Sequence, residues 1–180
     1  MNQASAINPT LSPAFDRARK LSRVMAVIFT IGFWLTLLAA ILVLAVPFVP
    51  GNGMVGFYDV SVSLNGLSFT QRAWVTLAME MVALPMLFLT HHARRLFGHF
   101  ARGEVFVLPV IADIRQAGLW LIVSFFANIA GETRLLATKT VPPGHVHETT
   151  WPLLIGIVTF IAAYVMEEAQ RIAADNAEIV

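Results

Sequence analysis

The sequence predicts an all-α, polytopic membrane protein: a bundle of four transmembrane helices with a small outer β-hairpin between helices one and two. Three observations carry that prediction. The first is composition, since the 180 residues are 57% hydrophobic and 13% charged, against roughly 45–50% and about 25% in ordinary soluble domains. The second is a set of four long apolar runs, and the third is an uneven placement of Lys and Arg around them. A mean hydropathy of +0.72 with a net charge of +1 excludes a disordered chain, which needs low hydrophobicity and high net charge. The absence of Cys excludes disulfides, thiolate metal sites, iron–sulfur clusters and cysteine nucleophiles.

A bilayer core of about 30 Å needs roughly 20 apolar residues in helix. Residues 24–58 carry no charge, and 24–46 are almost wholly Leu, Ile, Val, Ala and Phe before Pro47 and Pro50 stop the run. This stretch is too long for the core of a secretory signal and has no closing A-x-A site, so it reads as a span. The second run, about 73–90, contains one carboxylate, Glu80, and one proline, Pro85. The third is charge-free only over 116–131. It becomes long enough if Pro109 takes the first helical position and the residues up to Arg115 form a lead-in turn. The fourth runs over 149–166, between Glu148 and Glu167.

These runs partition the chain into a cytoplasmic N-terminal tail (1–23), a four-helix transmembrane domain (24–166) and a cytoplasmic C-terminal helix end (167–180). With the N-terminus inside, the inner segments hold Arg17, Arg19, Lys20, Arg23, Arg94, Arg95, Arg102, Arg115 and Arg171. The outer ones hold only Arg72, Arg134 and Lys139. That bias orients the protein with both termini in the cytoplasm. Tyr58, Trp74 and Trp151 fall near the outer interface and Trp120 and Tyr164 near the inner one, as interfacial aromatics do. Trp34, mid-span, is expected to pack on another helix or on lipid.

In the first outer loop, residues 58–64 and 67–69 alternate apolar and polar around Asn65-Gly66, which predicts a hairpin turning at that dipeptide. On the inner side, residues 91–102 continue the second helix beyond the membrane as a basic and apolar segment, with Gly103 as its C′ residue. Arg94, Arg95, Arg102 and Arg115 are therefore candidate contacts to anionic lipid or a cytoplasmic partner. Three arginines and some histidines on this connector make too small a basic field for nucleic acid.

Gly103-Glu104-Val105-Phe106, followed by Ile111, Ile114-Arg115 and Gly118, resembles the signature of a bacterial family of four-span membrane proteins called domain of unknown function 2975. The acidic end, with Glu167-Glu168 and Asp175, is also similar to that family's C-terminus. Val107 and Val110 stand where the family more often has a small hydroxyl residue and an Asn. The resemblance implies a four-span protein of the bacterial inner membrane. It implies no reaction, and a regulatory role only through members that sit beside helix-turn-helix regulators.

Among residues that could carry chemistry, Glu80 is the sharpest, placed roughly 10 Å below the outer interface at about 1.5 Å per residue. A carboxylate at that depth is expected to face the bundle or a wet cavity. Ala73, Thr76, Glu80 and Ala83 form one small or polar stripe. Gly32, Thr36 and Ala39 form a second, Ala117, Ser124, Asn128 and Gly131 a third, and Gly156, Thr159 and Ala163 a fourth. All four are predicted to face inward, with Thr159 at the depth of Glu80 and Asn128 within reach of it. Arg134 could then approach from above. Two roles stay open for Glu80: a register-fixing carboxyl, or a proton or cation site.

His145 and His147, with Glu148, are weak candidates for a metal. His91, His92 and His99 read as quiet interfacial residues. Glu167 or Glu168 is expected to pair with Arg171. No G-x-S-x-G elbow, phosphate-binding glycine loop or H-E-x-x-H pair is present. The expectation is a protein without catalytic activity or cofactor, an accessory or regulatory partner acting through protein or lipid contacts, with a protein partner or a homo-oligomer. The alternative is a small proton-coupled or ion-conducting transporter centred on Glu80.

Overall fold

A computed structural model describes residues 13–49, 53–57, 60–137 and 150–177. Four helices dominate it, each long and apolar enough to cross a membrane. With the small two-stranded sheet they form the expected all-α membrane bundle.

Helix α1, Pro13–Leu44, has a proline at its first position, where the missing N–H costs nothing. The chain predicted as a tail is therefore helical from Pro13, and basic residues 17–23 form the first turns of α1. At 32 residues the helix is about 48 Å long, well over the bilayer core. It ends where Pro47 enters a single 3₁₀ turn, Val46–Phe48.

The hairpin exists, but in another register. Strand β1, Met54–Phe57, pairs antiparallel with β2, Val60–Ser63, matching Met54 to Ser63 and Phe57 to Val60. The two strands are thus joined ahead of Val60, not across Asn65-Gly66. The dipeptide does turn the chain: Gly66 has φ 70 and the Leu67 N–H donates to the Leu64 carbonyl at 3.3 Å. Past this turn the chain enters a capping box rather than a strand. The Gln71 N–H donates to the Ser68 hydroxyl and the Ser68 N–H to the Gln71 side chain, so Phe69 opens a helix.

That helix, α2, is Phe69–Arg102, with Pro85 tolerated inside it. It closes on Gly103 at φ 85, where the Gly103 N–H bonds the Phe100 carbonyl and the Glu104 N–H the His99 carbonyl. This is a Schellman motif with glycine at C′, as the sequence indicated. Helices α3, Leu108–Ala137, and α4, Trp151–Ala177, complete the fold, with Pro109 and Pro152 in their first turns.

The helices pack antiparallel and in chain order: α1 on α2, α2 on α3, α3 on α4. The edge helices keep apolar outer faces, Ile31, Trp34, Leu35 and Leu38 on α1 and Val158, Ile161, Tyr164 and Val165 on α4. Trp34 accordingly points outward, on the side a membrane would cover.

At the hairpin end, Val62 packs with Val43, Val75, Ala78 and Met79 in one apolar cluster, which props the hairpin on α1 and α2. Arg72 ties the chain there by donating to the carbonyls of Val49 (2.6 Å), Leu64 (3.2 Å) and Leu67 (3.2 Å). The opposite end, where α1 starts and α4 finishes, is the terminal end of the bundle.

Candidate functional site

Two carboxyl groups with a buried oxygen sit on the α2–α3 pair, one at each level of the bundle: Asp113 is buried as a whole and Glu80 only in part. Glu80 is the expected one. Its Oε1 is buried and accepts no hydrogen bond among the described residues.

The predicted partners do not assemble around it. Gly131 abuts Ala78, which brings Asn128 near the level of Glu80, but the Asn128 amide donates to the Ser124 carbonyl at 2.8 Å, within its own helix. Thr76 likewise donates to the Arg72 carbonyl at 3.0 Å. Such back-bonding satisfies the side chain locally and leaves nothing to reach across a seam.

Thr159 is displaced along the bundle. Gly156 lies against Gly118 and Ile122, so α4 begins roughly three turns short of the end of α3. Gly118 is two residues from Trp120, which stacks on Phe88 at 4.3 Å. Glu80 is eight residues, about 12 Å of helix, farther toward the hairpin end. The expected equal depth of Thr159 and Glu80 is therefore wrong. The Arg134 side chain and the candidate metal ligands His145 and His147 lie outside the described residues.

The small-residue stripes fare better. Thr76, Ala83, Ala117, Ser124, Gly131, Gly156 and Ala163 are all buried. The closest helix approach is one the stripes only half named. A Cβ on Gly118 would meet the Phe160 backbone nitrogen at 2.8 Å, and one on Gly156 the Gly118 carbonyl at 2.9 Å. In α1 the buried positions are Ala40 and Val43 rather than Gly32, whose Cβ would meet nothing within 4 Å.

The second carboxyl, Asp113 in the second turn of α3, is 3% exposed and far better served. Its Oδ1 lies 2.9 Å from His92 Nδ1. Its Oδ2 lies 3.3 Å from Arg95 Nε and 3.9 Å from His99 Nε2, distances at which charge rather than a directed hydrogen bond holds it. His92, Arg95 and His99 are spaced i, i+3, i+7, so one face of α2 delivers all three. The network then leaves the helix. His99 Nδ1 meets Glu104 Oε2 at 2.5 Å, and the Arg102 guanidinium forks onto both Glu104 oxygens at 3.0 Å each.

The Arg102 fork, followed by the bond to His99, holds the Glu104 carboxyl far below its usual range, at about 2. Because the Schellman turn at Gly103 aims Glu104 back at its own helix, local backbone geometry builds this half of the network. On the far side, Arg115 pairs with Glu167 at 3.3 Å and Gln170 donates to the Phe106 carbonyl, so α4 is joined to α3 and to the connection between α2 and α3.

Of the four arginines expected at this interface, Arg95, Arg102 and Arg115 are thus engaged in ion pairs. Arg94 lies over the Phe33 ring at 4.3 Å from its centroid and reaches His91 at 3.2 Å. His92 and His99 are not quiet residues but carboxylate partners. Sequence reasoning missed Asp113, His92, His99 and Glu104, although the i, i+3, i+7 spacing and the lone acid near the start of the third span were both readable. Arg171 pairs with Glu168 as expected.

Among the described residues, no group of three His, Asp or Glu is placed to hold a metal ion. The arrangement can lock α2, α3 and α4 in register at one end and present a charged rim there. No family model, curated protein or solved structure matches the chain.

Proposed function

We propose that this chain is an accessory or regulatory protein of a bacterial inner membrane, without catalytic activity, with both termini cytoplasmic, acting through protein or lipid contacts at its terminal end. The resemblance of its residues from Gly103 to Gly118 to the family called domain of unknown function 2975 supports that reading. The observation that carries the reading is the Asp113 network. Together with the Arg115–Glu167 pair it ties α2, α3 and α4 at the end where nine of the twelve basic residues of the sequence fall. Rigid presentation of charge suits contact with a partner. Exposed Phe106 and Leu108, 71% and 67% accessible, add apolar anchors beside that rim.

The test combines topology with capture. A single cysteine at Ser63, in a chain without native Cys, should react with an impermeant thiol reagent from outside the cell. A photo-crosslinker at Phe106 should give one discrete adduct in native membranes. Labelling only after lysis would overturn the orientation, and absence of any adduct would overturn the contact role.

The second reading, proton-coupled or ionic transport through Glu80, is favoured by one observation: the buried Oε1, which has no hydrogen-bond partner among the described residues. It requires a flux in proteoliposomes that Glu80→Gln abolishes.

A further inference from the structure

With the ion pairs assigned, the cations at the terminal end divide into spent and unspent. Arg95, Arg102 and Arg115 pair with Asp113, Glu104 and Glu167, and Arg94 is committed to Phe33 and His91. Arg19 turns toward α2 and donates to the Ala101 carbonyl at 3.3 Å, while Phe15 lies under Gly103. Those two residues fix which face of α1 meets α2.

Arg17, Lys20 and Arg23 are exposed, off that face, and make no hydrogen bond or ion pair among the described residues. Their three-residue spacing lines them along one side of the first turns of α1, interleaved with exposed Leu21 and Val24. Immediately after Arg23 the helix carries no charge as far as its end at Leu44, about 32 Å and so close to one bilayer core.

We infer that Arg17, Lys20 and Arg23 form a binding surface for the headgroups of anionic phospholipids in the membrane the chain spans. This rests on the proposed membrane placement and deepens it by naming the lipid class and its residues. The geometry favours lipid over a soluble acidic protein. Leu21 and Val24 stand between the cations, so the surface is apolar and basic at once, as in helices that lie at the headgroup boundary. It is also continuous with the apolar outer face of α1, through Val27, Ile28 and Ile31. Long basic side chains at the end of an apolar helix extend their charge to the phosphate level while the stems remain in the acyl region. Each such cation strengthens attachment to an anionic leaflet by roughly fivefold, an attraction that salt screens.

The experiment uses the full chain extracted from vesicles of equal parts phosphatidylcholine and phosphatidylglycerol, with the lipid retained on the purified protein quantified. Wild type should retain phosphatidylglycerol over phosphatidylcholine at a ratio severalfold above the input ratio of one. Arg17→Gln/Lys20→Gln/Arg23→Gln should fall to the input ratio with an unchanged unfolding temperature, since these side chains hold no hydrogen bond or ion pair among the described residues. Arg17→Lys/Arg23→Lys should keep the enrichment, as should Arg115→Gln, whose charge is used internally. Millimolar inorganic phosphate should not displace the lipid.

No enrichment in wild type, enrichment that survives the neutral triple variant, or displacement by phosphate would each overturn the assignment. So would a triple variant that keeps its lipid and loses a crosslinked soluble protein instead. Retained lipid is read without reference to orientation or partner. Its failure is therefore separable from failure of the contact role, which the Phe106 adduct reports.

Discussion

Asp113 and Glu80 are the same chemical group on the same helix pair, and they are used in opposite ways. Asp113 is reached by two imidazoles and a guanidinium delivered from one face of α2. Glu80 keeps one buried oxygen without a partner among the described residues, while Asn128 and Thr76 bond their own helices. A buried carboxyl locks a fold only where its surroundings are organised around it, because an isolated one contributes desolvation cost and no register. The terminal end is where this bundle is keyed. The membrane level is held by close packing, chiefly the Gly118–Gly156 approach.

The largest expected effect tests that difference at its stronger side. Asp113→Asn leaves Arg95 and two imidazoles facing a neutral amide, and should cost about 2–3 kcal/mol. That is below the usual loss for a broken buried pair, because Arg95 is half exposed. Thermal unfolding in a fixed detergent measures it, and a loss near zero would break the comparison.

Gly118→Ala sharpens the packing side. The added methyl meets α4 backbone, which cannot step aside as a flexible side chain can, and about 1–3 kcal/mol of overpacking is expected. Gly32→Ala is its counterpart in open space and should instead gain about 0.5–1 kcal/mol from helix propensity. Unfolding of the two variants together checks the sign of each.

A smaller effect concerns acid. The folded carboxyl of Glu104 is held at about 2 from an ordinary 4.5, so its contribution is fully present above 4.5 and is lost as pH falls from there toward 2. Protection of the Gly103 and Glu104 amides, taken relative to the intrinsic exchange rate at each pH, should fall through that window in wild type, and Arg102→Gln should move the onset toward 4.5. An unchanged onset would remove Arg102 from the cause.

Much of the fold was legible because bilayer thickness and backbone hydrogen bonding permit few solutions for four apolar runs. The hairpin was legible as alternation. Its register was not, because Asn65-Gly66 advertises a hairpin turn while Ser68 and Gln71, three apart, encode the competing helix start that wins. The first turns of α1 pass for a tail when charge is weighed above the helix-starting Pro13.

For the site, Thr159 was misplaced because depth was counted from each run's own end. Helices of 30 and 27 residues need not begin level, and α4 does not. Asp113 escaped notice because its histidine partners His92 and His99 lie 21 and 14 residues before it. A one-dimensional reading joins such residues only if the α2 face and the antiparallel return of α3 are considered together.

The most direct measurement sets the two carboxyls side by side, with unfolding temperatures of Asp113→Asn and Glu80→Gln in the same lipid nanodiscs. A clear fall for Asp113→Asn is expected, with a change within about 0.5 kcal/mol for Glu80→Gln, which removes no hydrogen bond at Oε1. Equal losses, or a larger one at Glu80, would contradict the assignment of the terminal end as the place where this bundle is keyed.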